Sequence, residues 1–112
     1  MTARINYVEL PVADTATAKA FYGSAFGWSF SDFGPTYAAT TSGDSDLGFQ
    51  ADDAQKTAAL LPVIAVDDLE LALARVVAAG GAVTMPIFAF PGGRRFHFRD
   101  PDGHELSAMM PD

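Results

Sequence analysis

Four residues recur at one spacing. Val12, Asp14, Ala18 and Gly27 are matched by Val66, Asp68, Ala72 and Gly81, each 54 positions further on, about half of the 112-residue chain. A period of this size marks two copies of one supersecondary unit. Each copy, at about 55 residues, buries too little surface for comfortable stability alone. The copies are therefore expected to share one sheet or pack as a pair within a single domain, residues 1–112, with module one at about 4–51 and module two at about 60–110.

Each copy reads as strand, helix, strand, strand, strand. In the first, Ile5 to Val12 alternates like a strand, with Val8 and Leu10 on one face and Tyr7 and Glu9 on the other. Asp14 then caps a helix whose apolar stripe is Ala18, Phe21, Tyr22, Ala25 and Phe26, and Gly27 ends it. Trp28 to Phe33, Thr36 to Thr41 and Leu47 to Gln50 follow as short strands, divided by Gly34-Pro35 and by the polar run 42–46. The second copy opens with a strand at Leu61 to Val66. Asp67-Asp68 caps a helix expected to bury Leu69, Ala72, Leu73, Val76 and Val77, and Gly80-Gly81 stops it. Strands are expected at Ala82 to Met85, extendable through Phe90, at Arg94 to Arg99 and at Glu105 to Met109. The polar segment 51–58 is the connector between the copies.

Composition removes several classes of function. Fourteen acidic residues against seven basic ones give a net charge of -7, a field that repels phosphate backbones and anionic lipid headgroups, so neither nucleic acid nor a membrane is an expected partner. Zero cysteines exclude disulfides, thiolate metal sites and cysteine nucleophiles, and suit a reducing compartment. No apolar run approaches the roughly 18 residues of a membrane span, and the chain reaches a strand-like segment at once. A soluble cytoplasmic protein is expected.

The two modules, the opening Val8-Glu9-Leu10-Pro11-Val12-Ala13-Asp14, the segment Ala20-Phe21-Tyr22 leading to Phe26-Gly27-Trp28, and the final Phe98-Arg99-Asp100-Pro101-Asp102-Gly103-His104-Glu105-Leu106 together resemble the vicinal oxygen chelate superfamily, the group of glyoxalases, bleomycin-resistance proteins and extradiol dioxygenases. The resemblance implies an α+β fold in which two βαβββ modules form an eight-stranded incomplete barrel around a cup, usually as a homodimer. It also implies where the ligands of a metal-dependent relative would fall: at Tyr7, near Leu61, at Ser107, and around Gly48 or Phe49. A phenol, a leucine, a hydroxyl and a glycine or phenylalanine do not make a divalent-metal site. No metal and no cofactor is therefore expected. An unorthodox set of Glu9, His97 and Glu105 is the one metal-binding alternative.

With the register set by Tyr7 and Ser107, strand alternation turns Tyr7, Glu9, Glu105, Ser107 and Met109 toward the cup. In Arg94 to Arg99, Arg95, His97 and Arg99 share one face while Phe96 and Phe98 share the other, and the sequence leaves open which meets the cup. His104, after the Asp-Pro-Asp-Gly turn, reads as an exposed turn residue. Phe88, Phe90 and Gly92-Gly93 form an aromatic segment and a Gly-rich turn suited to a flap over the mouth. The expected ligand-binding residues are Tyr7, Glu9, Phe49, Phe90, Arg95, His97, Ser107 and Met109. They point to a small organic ligand and, for catalysis, to lyase or isomerase chemistry beside a carbonyl, with Glu9 or His97 as base and Tyr7 as hydrogen-bond donor. The alternative is non-catalytic sequestration of a cationic or aromatic compound, for which the acidic balance and the rings are suited.

Overall fold

A computed structural model describes all residues from Met1 to Asp112. Eight strands, paired both parallel and antiparallel, and two helices give the α+β class. The chain divides into two compact units: Tyr7–Leu61, and Pro62–Asp112 together with Met1–Asn6.

The first unit contains most of β1 (Ala3–Pro11), then α1 (Thr15–Phe26), β2 (Ser31–Asp32), β3 (Tyr37–Ala39) and β4 (Asp46–Gln50). Its strand order is β2-β3-β4-β1, with β4 returning parallel to β1 and the other pairs antiparallel. Helix α1 starts where Asp14 accepts a hydrogen bond from the Thr17 amide at 2.7 Å. It stops at Gly27, whose left-handed φ of 71° a residue with a Cβ would resist. The buried side of α1 is narrower than its apolar stripe: Phe21 and Phe26 are 61% and 62% exposed, and Thr15, Ala18 and Tyr22 face inward instead.

The expected strand at Trp28 to Phe33 shrinks to Ser31–Asp32. Trp28 instead stacks on Tyr22 and Phe26 of α1, and Phe30 lies against Phe49 of β4. The expected strand at Thr36 to Thr41 likewise shortens to Tyr37–Ala39. There Asp46 ends the pairing by accepting hydrogen bonds from the Thr40 hydroxyl and from the amides of Ser42 and Gly43.

The second unit is built from β5 (Leu61–Val66), α2 (Leu69–Ala78), β6 (Ala82–Phe90), β7 (Gly93–Arg99) and β8 (Glu105–Pro111). The order β5-β8-β7-β6, with β5 parallel to β8, repeats the order and pairing of the first unit. Asp68 caps α2 by accepting from the Leu71 amide at 3.0 Å. Leu69 and Ala72 of α2 join Val66, Phe96, Phe98 and Ala108 in the core. Val77 does not, being 54% exposed. Strand β6 runs unbroken through Pro86, accommodating it with two register shifts on the β7 side. The Thr2 amide ties the opening residues to this unit by donating to Asp67. Neither helix is long and apolar enough to cross a membrane.

Candidate functional site

Each helix covers one face of its own unit's strands, and the polar residues stand on the other. In the first unit, Val8, Leu10, Ala38 and Phe49 share the helix side, since Leu10 is the register partner of Phe49 and Ala38 opposes Phe49. Phe49 is fully buried there, stacked on Tyr22 of α1 at 5.5 Å between ring centroids. It is a core residue on the helix side, which corrects its expected place among the ligand-binding residues.

That polar face holds Tyr7, Glu9, Gly48 and Tyr37. Glu9 is the register partner of Gly48, and Tyr37 opposes Gln50 two positions along. The Tyr7 and Tyr37 hydroxyls hydrogen-bond at 2.5 Å. Glu9, on the same face, is only 2% exposed. Burial, then the negative charge of Glu9, then Tyr7, push the Tyr37 phenol far above its ordinary pKa, so it remains a neutral hydroxyl. Both phenol oxygens sit over Gly48, where a Cβ would overlap them. Gly48 is therefore required as open space rather than for its backbone freedom. The one sequence signal for Tyr37 is a polar-tipped aromatic beside two alanines, Ala38 and Ala39, in a short strand.

In the second unit α2 settles the question left open for Arg94 to Arg99. Phe96 and Phe98 pack into the core beneath α2, so Arg95 and His97 occupy the face without a helix. Across the ladder His97 pairs with Ser107, Arg95 with Met109, and Arg99 with Glu105. From β6, Met85 pairs with His97 and Phe88 with Arg95, while Phe90 opposes Gly93. The Arg95 guanidinium lies 5.1 Å from the Phe88 ring centre and 5.2 Å from that of Phe90, a cation held between two aromatic faces. His97, 3% exposed, has Nδ1 3.5 Å from Glu105 Oε2, and that oxygen accepts a hydrogen bond from Thr84 at 3.0 Å. The buried Ser107 hydroxyl donates to the Phe96 carbonyl at 3.1 Å.

His104, Arg99 and Arg94 make local contacts. His104 is exposed, its amide bonded to Asp100. Arg99 donates to the Gly103 carbonyl rather than to Asp100, and Arg94 pairs with Glu70 at 2.6 Å.

With two tandem βαβββ units, the order repeated and the polar faces opposite the helices, comparison with known families is informative. The chain belongs to the glyoxalase/bleomycin resistance protein/dioxygenase superfamily, whose family model matches residues 4–107. Among curated proteins it is 34% identical to a Mycobacterium tuberculosis protein named "Putative glyoxylase CFP32", over 88% of this chain and 42% of that one. It thus spans about two fifths of the length of that relative. Among solved structures it is similar to a superfamily member from Vibrio splendidus (TM-score 0.72, 16% identity, 99% of this chain and 100% of that one). It is also similar to the Mn(II)-bound glyoxalase of Novosphingobium aromaticivorans (TM-score 0.71, 22% identity, 97% of this chain and 40% of that one). At these identities the structural matches establish the fold.

Proposed function

We propose that this chain binds a small organic carbonyl compound through the polar strand faces and moves a proton beside its carbonyl without a divalent metal, in lyase or isomerase chemistry. The observation that carries this reading is the buried Glu9 carboxylate on the same strand face as the hydrogen-bonded hydroxyls of Tyr7 and Tyr37. A buried carboxylate beside neutral hydroxyls offers a base and an oxyanion donor in one place. Glu9 is the base and Tyr7 the donor to the developing enolate oxygen. His97, with Glu105 beside Nδ1, is the alternative base, and Arg95, Phe90, Ser107 and Met109 complete the ligand-binding set on their own unit.

The donor chemistry supports the absence of a metal from this reaction. No group of three or more His, Asp or Glu side chains is placed to hold an ion. Tyr7 brings a phenol, Ser107 a hydroxyl and Gly48 no side chain at all, where a divalent metal wants imidazole or carboxylate. The net charge of -7 favours the second reading, sequestration of a cationic compound without turnover. We further propose pairing with a second copy, supported by β6, which ends the strand order of its unit and so presents an edge. Light scattering at micromolar concentration showing a single monomeric species would contradict pairing.

The test is exchange of α-protons for deuterium in a panel of small α-hydroxyketones and 2-oxoacids, followed by NMR with wild type, Glu9→Gln and His97→Ala. Exchange above the buffer rate that Glu9→Gln lowers supports the reaction. Saturable binding of a compound that is never turned over supports sequestration, and equal rates in all three proteins sink the catalytic assignment.

A further inference from the structure

At positions that the 54-residue repeat makes equivalent, the two helices turn different chemistry toward solvent. Arg75 of α2 corresponds to Phe21 of α1, and Glu70 to Ala16. Arg75 and Glu70 are exposed, as charged residues on the outer face of a helix ordinarily are. Ala16 and Phe21 are exposed as well, and Phe21 keeps 61% of its surface in water. Lys19 is the one charged residue of α1, and Asp32 neutralises it at 2.6 Å.

The Phe21 ring belongs to a continuous aromatic group. It meets Tyr22 edge-on with 5.0 Å between centroids, Tyr22 stacks on Trp28 at 5.9 Å, and Trp28 stacks on Phe26 at 5.2 Å. Tyr22, the inner member, stacks in turn on the buried Phe49. The rings are thus held from beneath by the core of their own unit, so covering them costs little side-chain freedom. Phe26 is 62% exposed and Trp28 45%. At about 150–250 Å2 for an aromatic side chain, the three outer rings leave about 300 Å2 in water. Thr17, Ser24 and Ala25, three or four positions from Phe21 and therefore beside it, are exposed and uncharged too. A specific interface takes about 800 Å2 from each partner, with aromatic residues enriched and charges depleted at its centre. The outer side of α1 has the composition and much of the area of such a centre.

We propose that this aromatic face of α1 is a docking surface for a second copy of the same chain, set against itself about a two-fold axis. The inference rests on the pairing proposed above and gives it a surface. Charge selects the occupant. Each copy carries a net charge of -7, so two copies repel wherever their carboxylates meet. They approach at least cost through a face whose single charge is already neutralised. A basic partner is drawn instead to the carboxylates elsewhere on the chain, because complementary charge steers encounter. An uncharged face of flat rings is also self-complementary, as a two-fold interface requires, since rings stack on their own copies as they do on one another.

Trp28 is the only tryptophan of the chain, so its fluorescence reports on this face alone. The full chain is followed through a dilution series across the micromolar range by sedimentation velocity and by Trp28 emission, together with Phe21→Arg and Leu71→Arg. Arginine already holds the equivalent place in α2, so Phe21→Arg suits a folded helix, and circular dichroism checks it; should it fail to fold, Phe26→Ser takes its place. Leu71→Arg puts the same charge on the exposed side of α2. Wild type is expected to dimerise, with Trp28 emission shifting to the blue at the same midpoint. Phe21→Arg should weaken association by about 10-fold or more, as loss of an aromatic hot spot does, and Leu71→Arg should leave it unchanged. A dimer that forms without moving Trp28 emission, or that Phe21→Arg and Leu71→Arg weaken equally, overturns the inference and leaves the pairing standing. A chain that stays monomeric throughout overturns both and leaves the face to a different partner.

Discussion

The hydroxyls of Tyr7 and Tyr37 meet at 2.5 Å directly over Gly48, on the strand face that α1 leaves uncovered. This contact joins the first and third strands of the unit across the fourth, which lies between them in the order β2-β3-β4-β1. It exists because the intervening residue has no side chain.

Gly48→Ala should therefore displace both phenols. The overlapping atoms lie at the far ends of side chains that can swing aside, so the stability cost falls near the lower end of the about 1–3 kcal/mol typical of overpacking. Denaturant unfolding checks that figure. Loss of the Tyr37 and Tyr7 hydroxyl resonances in the folded variant checks the displacement, and unchanged resonances would show that the two oxygens do not occupy that space.

Phe49→Ala should behave as a core deletion, costing about 3–5 kcal/mol, because the ring is fully buried and stacked on Tyr22. Chemical denaturation gives the value directly. A cost below about 1 kcal/mol, at the mild end of mutational effects, would contradict its place in the core.

How far the sequence foretold the molecule can be judged from such residues. The repeat, both Asp caps and the succession of elements along each copy follow from local chemistry: Asp14 and Asp68 at matching offsets, glycines beyond each helix, and period-two segments. The faces of β1 followed from Val8 and Leu10, which stand with Phe49 on the helix side, and those of β8 only from the register that the resemblance set at Ser107. Strand β7 was not legible, since Phe96 and Phe98 and the Arg95–His97 pair alternate equally well, and only the packing of α2 selects between them. Phe49 misled because a buried aromatic next to Gly48 has the same local pattern whether it faces helix or ligand. Tyr37 gave almost no signal, for its role depends on which strands lie beside it and on the hole at Gly48.

Asp46 makes stability depend on acid. Partial burial raises its carboxyl pKa, but the hydrogen bonds from Thr40, Ser42 and Gly43 together outweigh burial and hold it below the ordinary value of 3.8. A depressed folded pKa means that the unfolded chain binds the proton more tightly. The contribution is complete above 3.8 and is lost as pH falls through the lower folded value. Denaturation midpoints should drop below about pH 4 more steeply in wild type than in Asp46→Asn, and parallel curves would show that these bonds do not favour the ionised form.

Phe88→Leu removes one of the two rings that hold the Arg95 guanidinium. Beyond the lost apolar area, the cation–π part should cost about 0.5–1 kcal/mol, as read from a double-mutant cycle with Arg95→Met. Additive single effects would mean that the ring and the guanidinium are neighbours without attraction.

The central claim, proton transfer by Glu9 without a divalent metal, is tested most directly by α-proton exchange in D2O with protein dialysed against a strong chelator. The account predicts that wild type keeps its exchange rate for the responsive carbonyl compound after chelation and that Glu9→Gln lowers it by about 10²-fold or more, as loss of a general base does. Exchange that disappears with the chelator and returns with added Mn(II) or Zn(II), or a Glu9→Gln rate equal to wild type, would contradict it.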